Sequence, residues 1–74
     1  MLVAEKIRGV TLPHLRAWRI AQTISQTELA EKAHVSRATI TRAERGEIVS
    51  FANVRAIAAA LDVTVKQLQT EAPE

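Results

Sequence analysis

The sequence predicts an all-α fold, a small domain of five short helices, and three observations support this. Apolar residues recur three and four positions apart, which places them on one face of a helix. A serine or threonine precedes each of these runs, and such residues cap helices because their oxygen accepts a free backbone N–H. The chain has 74 residues and no cysteine, so a single helical core or a partner subunit must stabilise it.

Composition limits the classes of protein that the chain can represent. The apolar content of 47% excludes a disordered chain. No apolar run approaches the roughly 20 residues that a membrane-spanning helix needs. The first ten residues lack the apolar core and the cleavage site of a signal peptide. We therefore expect one cytoplasmic domain that has no membrane partner.

The charge is unevenly distributed along the chain. Residues 1–46 hold eight Lys or Arg and four Asp or Glu, a net +4, whereas residues 47–74 hold two and four, a net −2. A basic face suits DNA, but such an excess is also ordinary surface charge. Charge alone therefore leaves a DNA-binding function and a plain solvated surface equally open.

The first ten residues are hard to interpret. Val3, Ile7 and Val10 keep helical spacing, but Gly9 argues against a long helix. A basic arm, a short strand and a helical turn all remain open, and we favour a frayed terminus.

Helix 1 is predicted to begin at Thr11. Pro13 is tolerated in a first turn because the N–H groups there have no helical partner. Leu15 and Trp18 follow at helical spacing, and Ile24 closes the apolar set. We expect Trp18 to pack in the core, since duplex DNA exposes no base face for it to stack on.

Helices 2 and 3 form the most informative stretch. Ser25, with Glu28 three residues later, is a capping box that starts a helix over about 26–33. His34 and Val35 interrupt the apolar face, and Ser36 caps a second helix over about 37–45. Gly46 stands where a helix usually ends. Two helices joined by so short a corner predict a helix-turn-helix.

The loop after helix 3 is unusual, because Glu47 would repel phosphate and Ile48 and Val49 form an exposed apolar pair. Either the pair tucks into the core or it contacts another protein. Ser50 is predicted to cap helix 4, and Asp62 to end it. The predicted core face of helix 4 comprises Phe51, Val54, Ile57, Ala58 and Leu61.

The final helix is predicted to begin after Thr64, and its apolar residues are Val63, Val65 and Leu68. From Thr70 onward the tail is polar, and we expect it to fray.

The order of these residues resembles the Cro and lambda-repressor type of helix-turn-helix, the Xre family, from about Leu12 to Leu68. The resemblance rests on Gln26-x-x-Leu29-Ala30 and on Val35-Ser36-Arg37-x-Thr39-Ile40-x-Arg42-x-Glu44-x-Gly46. It implies a compact five-helix lambda-repressor-like domain over 11–69, with an N-terminal arm or extension at 1–10 and a tail at 70–74.

A helix of this kind reads DNA bases with its N-terminal residues and with those one turn later. Arg37 and Arg42 are therefore the predicted base readers, since arginine can bind guanine O6 and N7 together. The predicted base-contacting residues are Arg37, Ala38, Thr39, Thr41 and Arg42, and the predicted phosphate-contacting residues are Ser25, Gln26, Ser36 and Arg45. The alternative is that these arginines only solubilise an exposed helix.

The resemblance also implies three structural features. Arg19 is expected to form a salt bridge with Glu44, which would hold helix 1 against the end of helix 3. His34 occupies a position that is mostly glycine in the family, because the backbone there is left-handed. The surface around helix 5, with Val65 and Leu68 as candidates, is the expected dimer interface.

We therefore expect a transcriptional regulator, more specifically a repressor, that binds a two-fold symmetric operator in double-stranded DNA as a homodimer. The alternative is an antitoxin or phage-type regulator whose main partner is another protein, such as a toxin. An enzyme is the least favoured reading, because paired carboxylates, a phosphate-binding glycine loop and metal-ligand spacing are all missing. No cofactor and no metal are expected.

Overall fold

The computed structural model describes residues 8–74, which form five helices and one pair of two-residue strands. The predicted all-α class is confirmed, since the strand pair does not change it. In chain order the elements are β1 (Gly9–Val10), α1 (Leu15–Ala21), α2 (Gln26–Ala33), α3 (Arg37–Glu44), β2 (Val49–Ser50), α4 (Phe51–Leu61) and α5 (Val65–Thr70). Most of the proposed N-terminal extension, residues 1–7, lies outside the described residues.

Four of the helices begin at the serine or threonine that the sequence indicates. Ser25 accepts a hydrogen bond from the Glu28 N–H, and the Glu28 carboxylate accepts the Ser25 N–H, which completes a capping box. Thr64 and Gln67 form the same arrangement at α5. At the starts of α3 and α4, the Ser36 and Ser50 oxygens each accept a single hydrogen bond from a backbone N–H. Each cap stabilises its helix by about 1 kcal/mol.

Helix α1 is the exception, and the predicted cap at Thr11 is wrong. The helix begins at Leu15 after His14, whose side chain makes no cap bond. The backbone N–H of His14 instead donates to the Leu68 carbonyl at 2.9 Å. A contact with α5 therefore satisfies a donor at the start of α1, and Leu12, ahead of the helix, is buried in the core.

The core is built from apolar side chains of every helix. The residues that are at most 1% exposed are Leu12, Leu15, Leu29, Ile40, Ala43, Ile57, Leu61 and Leu68. The predicted core face of α4 is buried from Val54 onward, but the prediction is wrong for Phe51, which is 40% exposed. Phe51 is the first residue of α4, and its side chain is partly exposed to solvent at that end of the helix.

Trp18 joins the first helix to the last. Its indole lies half-buried against the core, and its Nε1–H donates to the carbonyls of Gln67 at 3.2 Å and Glu71 at 2.8 Å. The polar end of the ring thus satisfies carbonyls at the C-terminal end of α5, while the apolar body packs inward.

The pairing of β1 with β2 determines which of the apolar residues Ile48 and Val49 is buried. Gly9 faces Ser50 and Val10 faces Val49 in an antiparallel pair. Successive strand side chains point to opposite sides. Val49 is accordingly buried at 4% exposure and tucks into the core, which is one of the two alternatives left open for the pair, whereas Ile48, just before the strand, is 71% exposed.

Gly9 is needed for this pairing, and we expect Gly9→Ala to destabilise the fold by roughly 1–3 kcal/mol. A Cβ at Gly9 would stand 1.9 Å from the Val49 carbonyl oxygen and 2.6 Å from its carbon, both backbone atoms that cannot rotate away. Urea denaturation measures the loss, and hydrogen exchange should show the amides of the strand pair unprotected.

Gly46→Ala is the comparison for this test. A Cβ there meets nothing within 4 Å, but its φ of 94° strains any other residue. Gly46→Ala should therefore lower stability while the strand amides stay protected. Unchanged stability and unchanged protection in Gly9→Ala would contradict the steric argument.

Within residues 8–74, no helix combines the length and the apolar character that crossing a membrane would require.

Candidate nucleic-acid interface

The corner between α2 and α3 sets the angle of the helix-turn-helix. His34 ends α2 in the left-handed conformation, with φ 58° and ψ 41°. The Val35 N–H then donates back to the Ala30 carbonyl at 3.0 Å, and Val35 packs against the core. The left-handed backbone is about 1 kcal/mol less favourable for histidine than for glycine. Packing of the residues on both sides of His34 must therefore stabilise the corner.

Helix α3 is anchored by its inner face, where Ile40 and Ala43 are almost fully buried. Its outer face is open to solvent and forms a shallow concavity of about 580 Å³. We call this face the arginine surface, and it comprises Arg37, Ala38, Thr41, Arg42 and Arg45. All of these side chains are exposed except that of Thr41, which is half-buried.

The arginine surface carries three positive charges and no free acid. The only carboxylate of α3, Glu44, turns inward to Arg19 on α1. The charged groups within the arginine surface are therefore all guanidinium groups, whose planar donors suit phosphate oxygens and guanine edges.

The Arg19–Glu44 pair fastens α1 to the end of α3. Arg19 donates from Nε to Glu44 Oε2 at 2.5 Å and from Nη2 to Oε1 at 3.1 Å, while its Nη1 donates to the Ile24 carbonyl at 2.8 Å. The two side chains are only 12% and 5% exposed. A two-point contact so shielded from water fixes orientation as well as distance.

The pKa values of the pair follow from this geometry. The hydrogen bond to Glu44 raises the pKa of Arg19 above its ordinary value, against a smaller effect of burial. Burial alone would raise the pKa of Glu44, but hydrogen bonds from Arg19 and Gln26, with the charges of Arg19 and Arg16, together lower it. Both groups are therefore charged at neutral pH.

Gln26 extends the ion pair toward α3. Its Nε2 donates to Glu44 Oε1 at 3.0 Å, and its Oε1 accepts from the Thr41 hydroxyl at 3.2 Å. The sequence indicated Gln26 as a phosphate contact, and its side chain is engaged at both ends within the protein. Sequence reasoning missed this link, because its partners lie 15 and 18 positions away and no local pattern connects them.

The remaining predicted contacts surround the N-terminal ends of α2 and α3. Ser25 and Ser36 use their oxygens as caps. The hydroxyls of Ser36 and Thr39 lie 2.9 Å apart at the start of α3. Thr39 also lines a cleft of about 120 Å³ between α3 and α4. Asn53 lines the same cleft and is a further polar residue near the start of α3 that the sequence did not predict as a contact.

The predicted interface around α5 needs one correction. Leu68 is fully buried in the core of a single chain, so its side chain is not available to a second copy. Val65 is half-buried and packs against the same core. The hydrophobic spacing of α5 reflects its contact with the other helices.

Among residues 8–74, no three side chains of His, Asp or Glu come together in a way that could hold a metal ion.

Five short helices, with α2 and α3 meeting at a tight corner and α3 exposing a basic face, define a helix-turn-helix domain. The helix-turn-helix family model matches residues 15–68. The chain therefore belongs to this family, of the Xre or lambda-repressor type, and the predicted resemblance is confirmed.

Solved structures of similar proteins agree with this assignment. The restriction-modification controller protein C.AhdI from Aeromonas hydrophila is 36% identical, with a TM-score of 0.71 over 74% of this chain and 85% of that one. The N-terminal DNA-binding domain of SinR from Bacillus subtilis is 32% identical, with a TM-score of 0.68 over 73% and 81%. The hypothetical transcription factor NHTF from Neisseria is 33% identical, with a TM-score of 0.66 over 73% and 62%. The comparison with curated proteins found no match.

Proposed function

We propose that the chain is a transcriptional repressor that binds a specific site in double-stranded DNA, with α3 in the major groove. One observation carries the proposal: the outer face of α3 presents three exposed arginines, while its inner face is locked into the core. An α-helix fits the major groove, and a helix held along its inner face presents its outer side chains to base edges in a fixed orientation. Family membership and the regulators among its structural neighbours support this function.

In this proposal the side chains divide into two groups. Arg37 and Arg42 read guanines, and Ala38, Thr39 and Thr41 contact other base edges. Arg45, at the far end of α3, and the N-terminal ends of α2 and α3, at Ser25–Gln26 and Ser36, contact phosphates. Because phosphate contacts carry no base information, they orient the domain on the duplex and raise its affinity for any sequence.

We further propose that two copies bind together. One domain of this size makes few base contacts, and two-fold pairing doubles them. The two α3 helices would enter successive major grooves about 34 Å apart, on a two-fold symmetric operator. With Leu68 removed from the candidates, the exposed side of α5 near Val65 remains the proposed interface. The bound dimer would repress by blocking polymerase.

Selection from a randomised duplex pool, followed by salt titration of the best duplex, tests this function. We expect a two-fold symmetric site with half-site centres about 10 bp apart. The logarithm of the binding constant should fall linearly with the logarithm of salt, by roughly 0.9 for each phosphate neutralised. Arg55→Ala, an exposed arginine on α4 outside the arginine surface, is the matched control and should select the same site. The proposal is contradicted if the selection enriches no motif.

A second candidate function is binding to another protein, such as a toxin. The observation that favours it is the exposure of two large apolar side chains near the start of α4, Ile48 at 71% and Phe51 at 40%. If this function is the main one, Ile48→Ser should abolish regulation while leaving DNA affinity unchanged. If DNA binding is the main one, Arg37→Ala should abolish regulation, and Ile48→Ser should not.

A further inference from the structure

The side chains behind α3 form one hydrogen-bonded chain that ends on the arginine surface. It runs from Arg19 to Glu44, from Glu44 to Gln26, and from Gln26 to Thr41. Thr41 lines the concavity together with the exposed arginines. The ion pair that holds α1 against α3 is thus connected to a hydroxyl on the face proposed to meet DNA.

The direction of each hydrogen bond follows from the one before it. An ionised carboxylate has no proton to donate, so Glu44 can only accept. Gln26 must therefore turn its amide nitrogen toward Glu44, and this leaves its carbonyl oxygen facing Thr41. A carbonyl oxygen also only accepts, so the Thr41 hydroxyl must donate its single proton to Gln26.

We propose, building on the function proposed above, that Thr41 acts toward DNA only as a hydrogen-bond acceptor and selects a base with a major-groove amino group. Once its proton points to Gln26, Thr41 Oγ1 has only lone pairs to offer a ligand. In the major groove adenine N6 and cytosine N4 are donors, whereas guanine O6 and thymine O4 are acceptors that would face those lone pairs. Gln26 and Glu44 are thus positioning residues for base selection, since they set the proton on Thr41 without reaching the base.

Duplexes lacking one amino group test this assignment. Selection with Thr41→Val identifies the position concerned, because the preference there disappears. At that position purine replaces adenine, or 2-pyrimidinone replaces cytosine, so that only the amino group is lost. The unaltered protein should bind the modified duplex about five- to tenfold more weakly, which is the usual effect of one hydrogen bond. Thr41→Val should show almost no difference between the two duplexes.

Two variants control for effects other than the hydroxyl. Thr41→Ser keeps the hydroxyl and should retain the sensitivity to the amino group. Thr23→Val removes a hydroxyl in the turn after α1, where it donates to the Gln22 carbonyl, and should behave like the unaltered protein.

Glu44→Gln tests the origin of the preference. A glutamine at position 44 can donate a hydrogen bond to Gln26 Oε1. The Gln26 side-chain amide is then free to rotate, so that its Nε2 donates to Thr41 Oγ1. The Thr41 hydroxyl proton no longer points to Gln26 and can point toward DNA. Thr41 could then donate to guanine O6 or thymine O4, and its second lone pair could still accept from an amino group. The preference for an amino group should therefore relax, and the loss of that group from the duplex should weaken binding less than it does for the unaltered protein. Circular dichroism checks that this variant is folded; if it is not, the Thr41 variants on the modified duplexes decide alone.

The inference is wrong if the unaltered protein is indifferent to loss of the amino group, or if it needs the carbonyl at that position. If Arg37→Ala and Arg42→Ala weaken the base preferences of the selected site while Thr41→Val leaves every base preference unchanged, the inference about Thr41 is wrong and the proposed function stands. Should no site be selected at all, the proposed function itself fails.

Discussion

Replacing Arg19 by alanine is expected to lower the free energy of unfolding by about 3 kcal/mol, because it leaves a shielded carboxylate without its cation. Glu44 is only 5% exposed and would retain a single bond from Gln26. The Ile24 carbonyl would lose its donor as well. Urea denaturation followed by circular dichroism measures the change in the midpoint at constant slope.

The double variant Arg19→Met with Glu44→Leu is the matched control. Replacing both partners of a shielded ion pair by apolar residues of similar volume is often close to neutral. The double variant should therefore regain most of the stability that Arg19→Ala loses. If Arg19→Ala changes the free energy of unfolding by less than about 0.5 kcal/mol, the pair contributes no more than an exposed surface bridge.

The same pair makes stability depend on pH. The pKa of Glu44 is lower in the folded chain than its ordinary value of 4.5, which describes the unfolded chain. The unfolded state therefore binds the proton first, so the stabilisation is present above pH 4.5 and is lost as pH falls through the folded pKa. The double variant should lose less stability than the unaltered protein over this acidic range, and an identical acid profile would contradict the assignment.

Arg37→Ala and Arg42→Ala should each weaken binding to the selected operator by about 1–3 kcal/mol, roughly five- to 150-fold. Both side chains are exposed on the arginine surface and make no contact that holds the fold, so stability should be unchanged. Each variant should relax the preference at one base position of the half-site. Fluorescence anisotropy on the operator and on its single-base variants measures both effects.

Arg45→Ala separates base contacts from phosphate contacts. We expect it to weaken binding to all sequences alike and to reduce the salt slope by about 1, because it removes one phosphate contact and no base contact. Were Arg37→Ala also to weaken all sequences alike, Arg37 would be a phosphate contact and the proposed division of the surface would be wrong.

The helix-turn-helix could be predicted because its signals are local. Ser25 and Glu28 form their capping box within one helical turn, and Ser36 caps the next helix in the same way. The left-handed His34 and the positive φ of Gly46 stand where the chain must leave a helix. Such signals involve residues three or four positions apart, which are near neighbours in any helix.

The points that the sequence left open or predicted wrongly share the opposite cause. The place of Val49 stayed open because it lies in a strand, Val49–Ser50, whose partner lies about forty positions earlier, and two residues are too few to show a strand pattern. The start of α1 depends on a carbonyl of α5. Leu68 has the same apolar spacing whether it faces the core or a second copy. Only the folded arrangement distinguishes these cases.

The Gln26 network shows the same limit within the site. The sequence identified Gln26, Thr41 and Glu44 as separate site residues, but not that they share one set of hydrogen bonds. Residue type and helical position indicate which side chains lie near DNA. The direction in which each donates or accepts depends on neighbours that are distant in the chain.

The contact between Trp18 and the end of α5 provides an internal optical probe. Trp18 is the only tryptophan, and the chain has no tyrosine, so its fluorescence comes from one place. Because the indole N–H bonds Gln67 and Glu71, release of α5 would expose the ring to water and shift its emission to longer wavelength. Emission and helical signal recorded in one urea titration would therefore distinguish detachment of the last helix from unfolding of the whole domain.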